Sequence, residues 1–327
     1  MKRRLQENYF SAVFFHLCAQ MAVRETLIKA FPVLGIGRIC RGAAVGVYGN
    51  RCRSIWKEDE WNMALIGFIG MGNMGSAIMK GLLSHGFAAE ELLFTDADAR
   101  LCERVTLETE VAHTLDNREC AGQVKYLVLA VKPQYYAGVL KEIQPAGCPG
   151  QIVISIAPGK TLAYLQEELG DERRYVRAMP NTPALLGEGM TGVSYDSAAF
   201  TDEEKEMLSR FFCSFGKMKL VEERLMDAVA CASGSSPAYV YMFIEALADG
   251  AVKCGLSRKD AYEMVAQTVL GSAKMVLETG KHPGELKDMV CSPGGTTIAA
   301  VEALEQWGFR NSIMKATDAC YDRCRSI

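Results

Sequence analysis

The sequence predicts an α/β protein in which a parallel-sheet N-terminal domain is followed by an all-helical domain. Three observations support this prediction: a glycine cluster directly after an apolar strand, alternating strand-like and helix-like segments to about residue 200, and helix-like segments thereafter. Strands that alternate with helices form parallel sheets, because each crossover helix returns the chain to the same edge. We therefore divide the chain into residues 1–62, 63–200 and 201–327.

Composition fits a protein of about two globular domains. The chain has 327 residues, of which 49% are hydrophobic and 23% charged. A formal net charge of −3 gives no reason to propose a nucleic-acid partner. No apolar run reaches the ~18 residues that cross a membrane. Twelve scattered cysteines without a CxxC motif predict reduced thiols in a cytoplasmic protein, with no metal site and no disulfide framework.

The first 62 residues differ from the rest of the chain. They contain ten Lys or Arg against five Asp or Glu, and their apolar residues follow no period. Met63 stands directly before the first predicted strand. We expect the folded protein to begin there, with a misplaced start or a dispensable extension before it. A targeting segment is the alternative.

The predicted strands are short apolar runs that end at glycine, proline or aspartate. They are ALIGFIG, ELLFTD, KYLVLAVKP, QIVISIAPG and, later in the chain, RYVRAMPNTP and TGVSYD. No strand is predicted after about residue 200, where Thr201 and Glu204 form a capping box. The helix from Pro237 to Val252 is apolar almost all the way round, so we expect a partner subunit to cover it.

The glycine cluster predicts a Rossmann-type dinucleotide site. Gly70-Met71-Gly72-Asn73-Met74-Gly75 fits GxGxxG between a strand and a helix. The first glycine permits the tight turn, the second lets the backbone approach the pyrophosphate, and the third allows close packing of helix on strand. The phosphates then face the N-terminus of the helix.

Two further residues lie where strands end, on the cofactor side of such a sheet. Asp96 follows the second strand, where an acid binds the ribose hydroxyls of NADH and repels the extra phosphate of NADPH. Alternatively, Asp96 or Asp98 caps the next helix, and Arg100 is close enough to pair with a phosphate. Lys132 is placed to contact the cofactor, although a solvated lysine has the same sequence context. The cofactor is therefore NADPH or NADH, with a slight physical preference for NADH.

A second glycine cluster, in CSPGGTTIAAVEALE, opens a helix near the end of the chain. Gly294 and Gly295 let the backbone come close to a ligand, and Thr296 and Thr297 add hydroxyl donors. Free N–H groups at a helix start suit a small carboxylate. A simple turn between helices with a threonine cap is the alternative.

From Met63 to about residue 325 the chain resembles pyrroline-5-carboxylate reductases. The matching stretches are GFIGMGNMG, AVKPQ, SIAPGKT, RAMPNTPALLGEG, SGSSPAY, ALADGAVKCGLSR and HPGELKDMVCSPGGTTIAAVEALE. The resemblance implies a Rossmann domain, a helical dimerisation domain, and NAD(P)H-dependent reduction of Δ1-pyrroline-5-carboxylate to L-proline. The cofactor contacts that it implies are Ile69, Gly70, Met71, Gly72, Asn73, Met74, Asn117, Ala130, Val131, Lys132, Pro133 and Ala157.

The same resemblance implies that Thr296 and Thr297 hold the substrate carboxylate. Thr297 is the catalytic candidate, because its hydroxyl can donate to or accept from the ring nitrogen. No His or Asp–His pair lies in the matched motifs, and His282 is expected to cap a helix or lie on the surface. The chain departs from the family pattern at Pro158, Ser236 and Met289.

Two alternative functions remain at this stage. β-Hydroxyacid dehydrogenases also join GxGxMG to a helical domain, but they need a helix lysine followed by Asn, and Lys253 lacks that Asn. A non-catalytic NAD(P)-binding regulator is the other alternative, and the intact PGGTT stretch argues against it.

Overall fold

The computed structural model describes residues 64–326. The first 62 residues and the expected start at Met63 lie outside this range. Eight strands and twelve α-helices follow one another in the described part of the chain. The strands are β1 Ala64–Ile69, β2 Leu92–Thr95, β3 Ala112–Thr114, β4 Val124–Leu129, β5 Ile152–Ser155, β6 Arg174–Met179, β7 Gly189–Ser194 and β8 Gly216–Leu220.

The helices lie between the strands and then follow them. They are α1 Asn73–Ser84, α2 Ala99–Thr109, α3 Asn117–Gly122, α4 Tyr136–Ile143, α5 Leu162–Leu169, α6 Asp202–Cys213, α7 Met226–Val229, α8 Ser236–Lys253, α9 Arg258–Thr279, α10 Pro283–Val290, α11 Thr296–Gln306 and α12 Phe309–Cys324. No helix among residues 64–326 is both long and apolar enough to cross a membrane.

All eight strands join one sheet in the order β3-β2-β1-β4-β5-β6-β7-β8. Neighbouring strands from β3 to β6 are parallel, and β7 runs antiparallel to β6. The prediction of a parallel sheet is therefore confirmed for six strands. β2 and β4 lie on opposite sides of β1, and all three strands run in the same direction. The loops after β1 and β4 therefore lie side by side at the carboxyl ends of these strands.

Both faces of the sheet are buried, because strand side chains alternate between them. Ile66, Phe68 and Val128 point into one core with the aromatic group Phe211, Phe212 and Phe215. The other face packs the side chains of Ile69, Leu127, Leu129, Val153 and Tyr136. Two layers of helices therefore hold the strand ends in fixed positions.

Two strands, β3 and β8, were not predicted from the sequence. The prediction that no strand follows residue 200 was wrong, because β8 lies beyond it. β3 has only three residues, Ala112–Thr114, too few to show a period. β8 is an edge strand that alternates lysines with apolar residues in GKMKL and remains half-exposed. Charged edge strands prevent unwanted pairing between sheets, and their apolar signal is weak for the same reason.

The long helix α8 is poorly covered by its own chain. Ala248 is its only fully buried residue, while Tyr241, Met242 and Leu247 are exposed. Its main neighbour is α9, against which Ala248 packs with Ala261 and Val265. A second chain as the cover for the remaining apolar surface stays a prediction.

Candidate active site

The glycine loop has the geometry that the three glycine positions predict. Gly70 has φ +97° and donates its N–H to Thr95 O at 2.8 Å. A side chain at Gly75 would collide with the carbonyl oxygen of Gly70, so this glycine permits the close approach of α1 to the loop. A Cβ at Gly72 would meet nothing within 4 Å, so the backbone there is open to a ligand.

The loop after β4 lies directly beside the glycine loop. Ala130 N–H donates to Ile69 O at 2.8 Å, so the ends of β1 and β4 are in register. Lys132 is exposed just beyond this point and precedes Pro133. The structure thus brings Ile69–Gly75 and Ala130–Pro133 together at one edge of the sheet.

The side chain of Tyr136 connects the ends of two neighbouring strands at this edge. Its buried hydroxyl donates to Leu129 O at 2.8 Å and lies 3.0 Å from Ser155 Oγ, which joins the ends of β4 and β5. Burial raises the pKa of the Tyr136 phenol, so the group stays neutral and hydrogen-bonded. Ala157 is buried two residues after β5.

Asp96 contacts the glycine loop itself. Its Oδ2 accepts the N–H of Met71 at 2.7 Å, and its Oδ1 accepts the N–H of Asp98 at 3.0 Å. The cap of α2 is Asp98, which accepts from Arg100 N and Leu101 N. Asp98, and not Asp96, therefore caps α2. Its contact with the ribose stays a prediction.

Asn117 begins α3, beyond the short strand β3. Its side-chain nitrogen donates to Glu142 Oε2 at 2.9 Å, and the cap of α3 is Asp116. The sidechain amide therefore ties α3 to α4. Its proposed cofactor contact rests on the family resemblance.

The second glycine cluster forms an open helix start. Gly294 has φ +65°, and Gly295 is the N-cap of α11 and donates its N–H to Ser292 O at 3.0 Å. Within residues 64–326 no side chain caps this helix. Its first N–H groups thus point away from the helix without a side-chain partner, beside a half-exposed Thr297 and an exposed Thr296.

The neighbouring helix α10 differs in this respect. His282 is its N-cap, and the ring Nδ1 accepts from Gly284 N at 3.0 Å. The expected capping role of His282 is confirmed. Within residues 64–326, α10 thus has a side-chain cap and α11 has none.

Within residues 64–326 the two glycine clusters are not joined by hydrogen bonds. In the described range no hydrogen bond links residues 292–297 to the glycine loop, and the main neighbour of α11 is α12.

The segment between β8 and α8 contains a feature that the sequence reading missed. Residues Ala230–Gly234 form a π-helical turn, in which Ser235 N donates to Ala230 O at 2.8 Å. Such turns are frequent at functional sites. Asn181 holds this turn to the sheet, since its amide donates to Ser233 O at 3.1 Å and accepts from Met190 N at 2.9 Å. In the sequence, the signal for this contact was Asn181, a polar residue in the segment RAMPNTP.

A cavity of about 350 Å³ lies between this turn, the loop after β5 and the last helix. Pro158, one residue after the predicted cofactor residue Ala157, forms part of its wall, as does Ser235. The three residues that depart from the family pattern have different surroundings in the structure. Pro158 lies at the cavity, Ser236 is partly buried at the start of α8, and Met289 is exposed.

A parallel sheet with a glycine turn, an open helix start and an acid after β2 defines a dinucleotide-binding oxidoreductase of the Rossmann class. A family model for pyrroline-5-carboxylate reductase dimerisation matches residues 223–327. A second model, NADP oxidoreductase coenzyme F420-dependent, matches residues 65–159.

Similarity to individual proteins covers the described part of the chain. Pyrroline-5-carboxylate reductase of Escherichia coli K12 is 44% identical over 267 residues, 80% of this chain and 97% of that protein. The Glycine max protein is 40% identical over 263 residues, 80% of this chain and 95% of its own length. These identities show that the chain belongs to the pyrroline-5-carboxylate reductase family, and they remove the β-hydroxyacid dehydrogenase alternative.

Solved structures agree. Plasmodium falciparum pyrroline carboxylate reductase with NADP bound has a TM-score of 0.73 and 33% identity, covering 81% of this chain and 98% of that one. The Coxiella burnetii pyrroline-5-carboxylate reductase has a TM-score of 0.74 and 34% identity, with the same coverage. The Rossmann-like domain followed by a helical region is confirmed as the fold class.

Proposed function

We propose that this chain reduces the C=N bond of Δ1-pyrroline-5-carboxylate to give L-proline, with NADPH or NADH as the reductant. The observation that supports this most directly is the uncapped start of α11, with two glycines and two threonines, in a member of this family. A helix N-terminus favours an anion because its free N–H groups and its dipole both point at the ligand.

The glycine loop fits a dinucleotide. Gly72 leaves space for the pyrophosphate, and the N-terminus of α1 has neither a side-chain cap nor an acid in its first turn. We assign the cofactor to Ile69, Gly70, Met71, Gly72, Asn73, Met74, Gly75, Asp96, Asn117, Ala130, Val131, Lys132, Pro133 and Ala157. When bound, the nicotinamide supplies the hydride for the imine carbon.

The chain's own residues bind and orient the substrate. We assign its carboxylate to the N–H groups after Gly294 and Gly295 and to the hydroxyls of Thr296 and Thr297. Holding two reactants in a dry site lowers a barrier by up to ~7–11 kcal/mol. The protonated imine is the electrophile, and a free imine of this kind takes its proton from water, so the site needs no strong acid. Thr297 holds the ring nitrogen by a hydrogen bond without titrating.

The expected oligomeric state follows from the exposed surface of α8. Because a single chain leaves the apolar face of α8 exposed, we propose a homodimer or a multiple of dimers. The match of residues 223–327 to a dimerisation model supports this proposal. The scattered thiols support a cytoplasmic location.

The test is Thr297→Val, which keeps the side-chain shape and removes the hydroxyl. A hydrogen bond to a charged group is worth roughly 1.5–3 kcal/mol, so we expect kcat/KM for pyrroline-5-carboxylate to fall about 10- to 150-fold. NADPH affinity, measured by fluorescence titration, should stay unchanged because Thr297 is assigned to the substrate and not to the cofactor.

Thr296→Val is the matched control. If Thr296 acts mainly through its backbone N–H, which the substitution leaves in place, the loss of kcat/KM should be much smaller than in Thr297→Val. Full activity in Thr297→Val with an unchanged KM would make PGGTT an ordinary turn. Absence of turnover in the unmodified protein with either cofactor would remove the function itself.

A further inference from the structure

Three cysteines that are far apart in the sequence meet beside the cavity. Cys231 lies in the π-helical turn, and Cys320 and Cys324 lie one turn apart on α12. Their three Sγ atoms all lie within 4.8 Å of one another. Residues four apart on a helix share one face, so both thiols of α12 are directed at the same place.

From this geometry we propose that Cys231, Cys320 and Cys324 bind a thiophilic metal ion of the Zn²⁺ class. In a tetrahedral zinc site with Zn–S bonds of about 2.3 Å, sulfur atoms lie about 3.8 Å apart. The three thiols therefore need shifts of only about an ångström to reach that spacing. Thiolates are the ligands that select such soft ions over Mg²⁺ and Ca²⁺.

Access to the cluster supports a binding role over a packing role. Cys231 is buried, but Cys320 and Cys324 form part of the cavity wall and are only partly covered. The cavity thus provides an entry path and an open position for a fourth ligand, water or a small anion. Open positions of this kind distinguish exchangeable sites from closed structural ones.

The surroundings favour the charge that such a site acquires. Each thiol releases its proton to the solvent as its metal–sulfur bond forms, so three thiolates with one divalent ion carry one negative charge. Arg323 also lines the cavity and offsets that charge. The thiol of Cys320 lies 3.4 Å from Ser235 Oγ, a hydroxyl able to donate to a metal-bound thiolate.

The arrangement is not visible in the sequence. Cys231 is separated from Cys320 by the whole of α8 to α11, and the sequence reading predicted scattered, reduced thiols without a metal site. The π-helical turn directs the chain so that Cys231 faces α12. The proposal therefore revises the sequence prediction for these three of the twelve cysteines.

Cadmium titration of the full chain tests the proposal. The protein, kept reduced with a phosphine and freed of metal, should develop an ultraviolet thiolate-to-metal charge-transfer band. The band should saturate at one Cd²⁺ per chain, and Zn²⁺ should abolish it by displacement. Neither the band nor its displacement by Zn²⁺ depends on catalysis, so this test is independent of the proposed reductase activity.

Variants locate the site. Cys320→Ser and Cys324→Ser should each weaken Cd²⁺ binding on the order of 100-fold or more, since a lost ligand costs at least as much as a lost outer-shell partner. Cys231→Ser should do the same, with circular dichroism checking its fold because this residue is buried. Cys213→Ser removes an exposed thiol elsewhere and should leave the titration unchanged.

Either of two results would overturn the proposal. One is a titration with no saturable band at one equivalent in the unmodified protein. The other is a band of full amplitude and affinity in the well-folded Cys320→Ser and Cys324→Ser variants, which would place the thiolates elsewhere in the chain.

Discussion

Asp96 performs a structural task at the start of the glycine loop in addition to its proposed contact with the cofactor. Its carboxylate accepts from Met71 N and Asp98 N, which fixes the loop relative to the end of β2. A substitution that removes both oxygens would thus disturb the loop as well as the charge. The informative substitution keeps an acceptor and removes only the charge.

Asp96→Asn meets this requirement, because its amide oxygen can still accept from Met71. We expect the ratio of kcat/KM for NADPH to that for NADH to rise on the order of tenfold, since a carboxylate repels the extra phosphate. Steady-state kinetics at constant ionic strength measure the ratio.

Asp98→Asn is the control for this experiment, because the Asp98 carboxylate caps α2 by accepting from Arg100 N and Leu101 N. Its ratio should equal that of the unmodified protein. An unchanged ratio in Asp96→Asn would leave Asp96 with its loop-fixing role alone and transfer the choice of cofactor to Arg100 or to the backbone.

At the scale of elements, the capping box of α6 also connects that helix to the sheet. Glu204 is buried and accepts from Thr201 N, as the sequence predicted, and its carboxylate also pairs with Arg174 of β6 and Lys125 of β4. Burial alone would raise the pKa of this carboxyl. The bonds from Arg174, Thr201 and Lys125 outweigh burial and lower it.

The lowered pKa sets a direction for the pH dependence of stability. Glu204 stabilises the folded state above its unfolded pKa of about 4.3, and this contribution is lost as pH falls through the lower folded value. We expect Glu204→Gln to reduce the free energy of unfolding by on the order of 2 kcal/mol at pH 7. Denaturant titrations at pH 7, 5 and 4 should show the difference shrinking at the lowest pH.

Glu203→Gln provides the matched control, since Glu203 is an exposed neighbour on the same helix. It should change stability little at any of these pH values. A Glu204→Gln protein as stable as the control at pH 7 would mean that the ion cluster contributes nothing net to folding.

At the scale of the whole molecule, the exposed apolar face of α8 determines the expected assembly. Met242 is 68% exposed and Tyr241 is 59% exposed in the single chain. We expect Met242→Lys to shift the protein from dimers to monomers at micromolar concentration, because an interface core excludes an unpaired charge. Sedimentation velocity measures the shift, and activity should fall with it.

Leu107→Lys controls for the introduction of a charge at an exposed apolar site. Leu107 is 86% exposed on α2, a helix of the dinucleotide-binding part. This variant should sediment like the unmodified protein. A Met242→Lys protein that remains a dimer would place the interface on another face of the helical region.

The sequence by itself determined the features that depend on neighbouring residues. GxGxxG after an apolar run specified the turn at Gly70 and the helix packing at Gly75, and Thr201 with Glu204 specified the start of α6. Six of the eight strands were predicted because buried strands are continuous apolar runs. PGGTT predicted a helix start but left a threonine cap as an alternative, and the structure places Gly295 at the N-cap with no side-chain cap.

Only the tertiary structure decided the features that join distant segments. The edge strand β8 was missed because its lysines face solvent and its partner β7 cannot be seen locally. The bond from Asp96 to Met71 spans 25 positions, and the three-thiol cluster depends on a π-helical turn that rotates Cys231 toward α12. Short-range periodicity carries no information on such contacts, because they are set by how whole elements pack against one another.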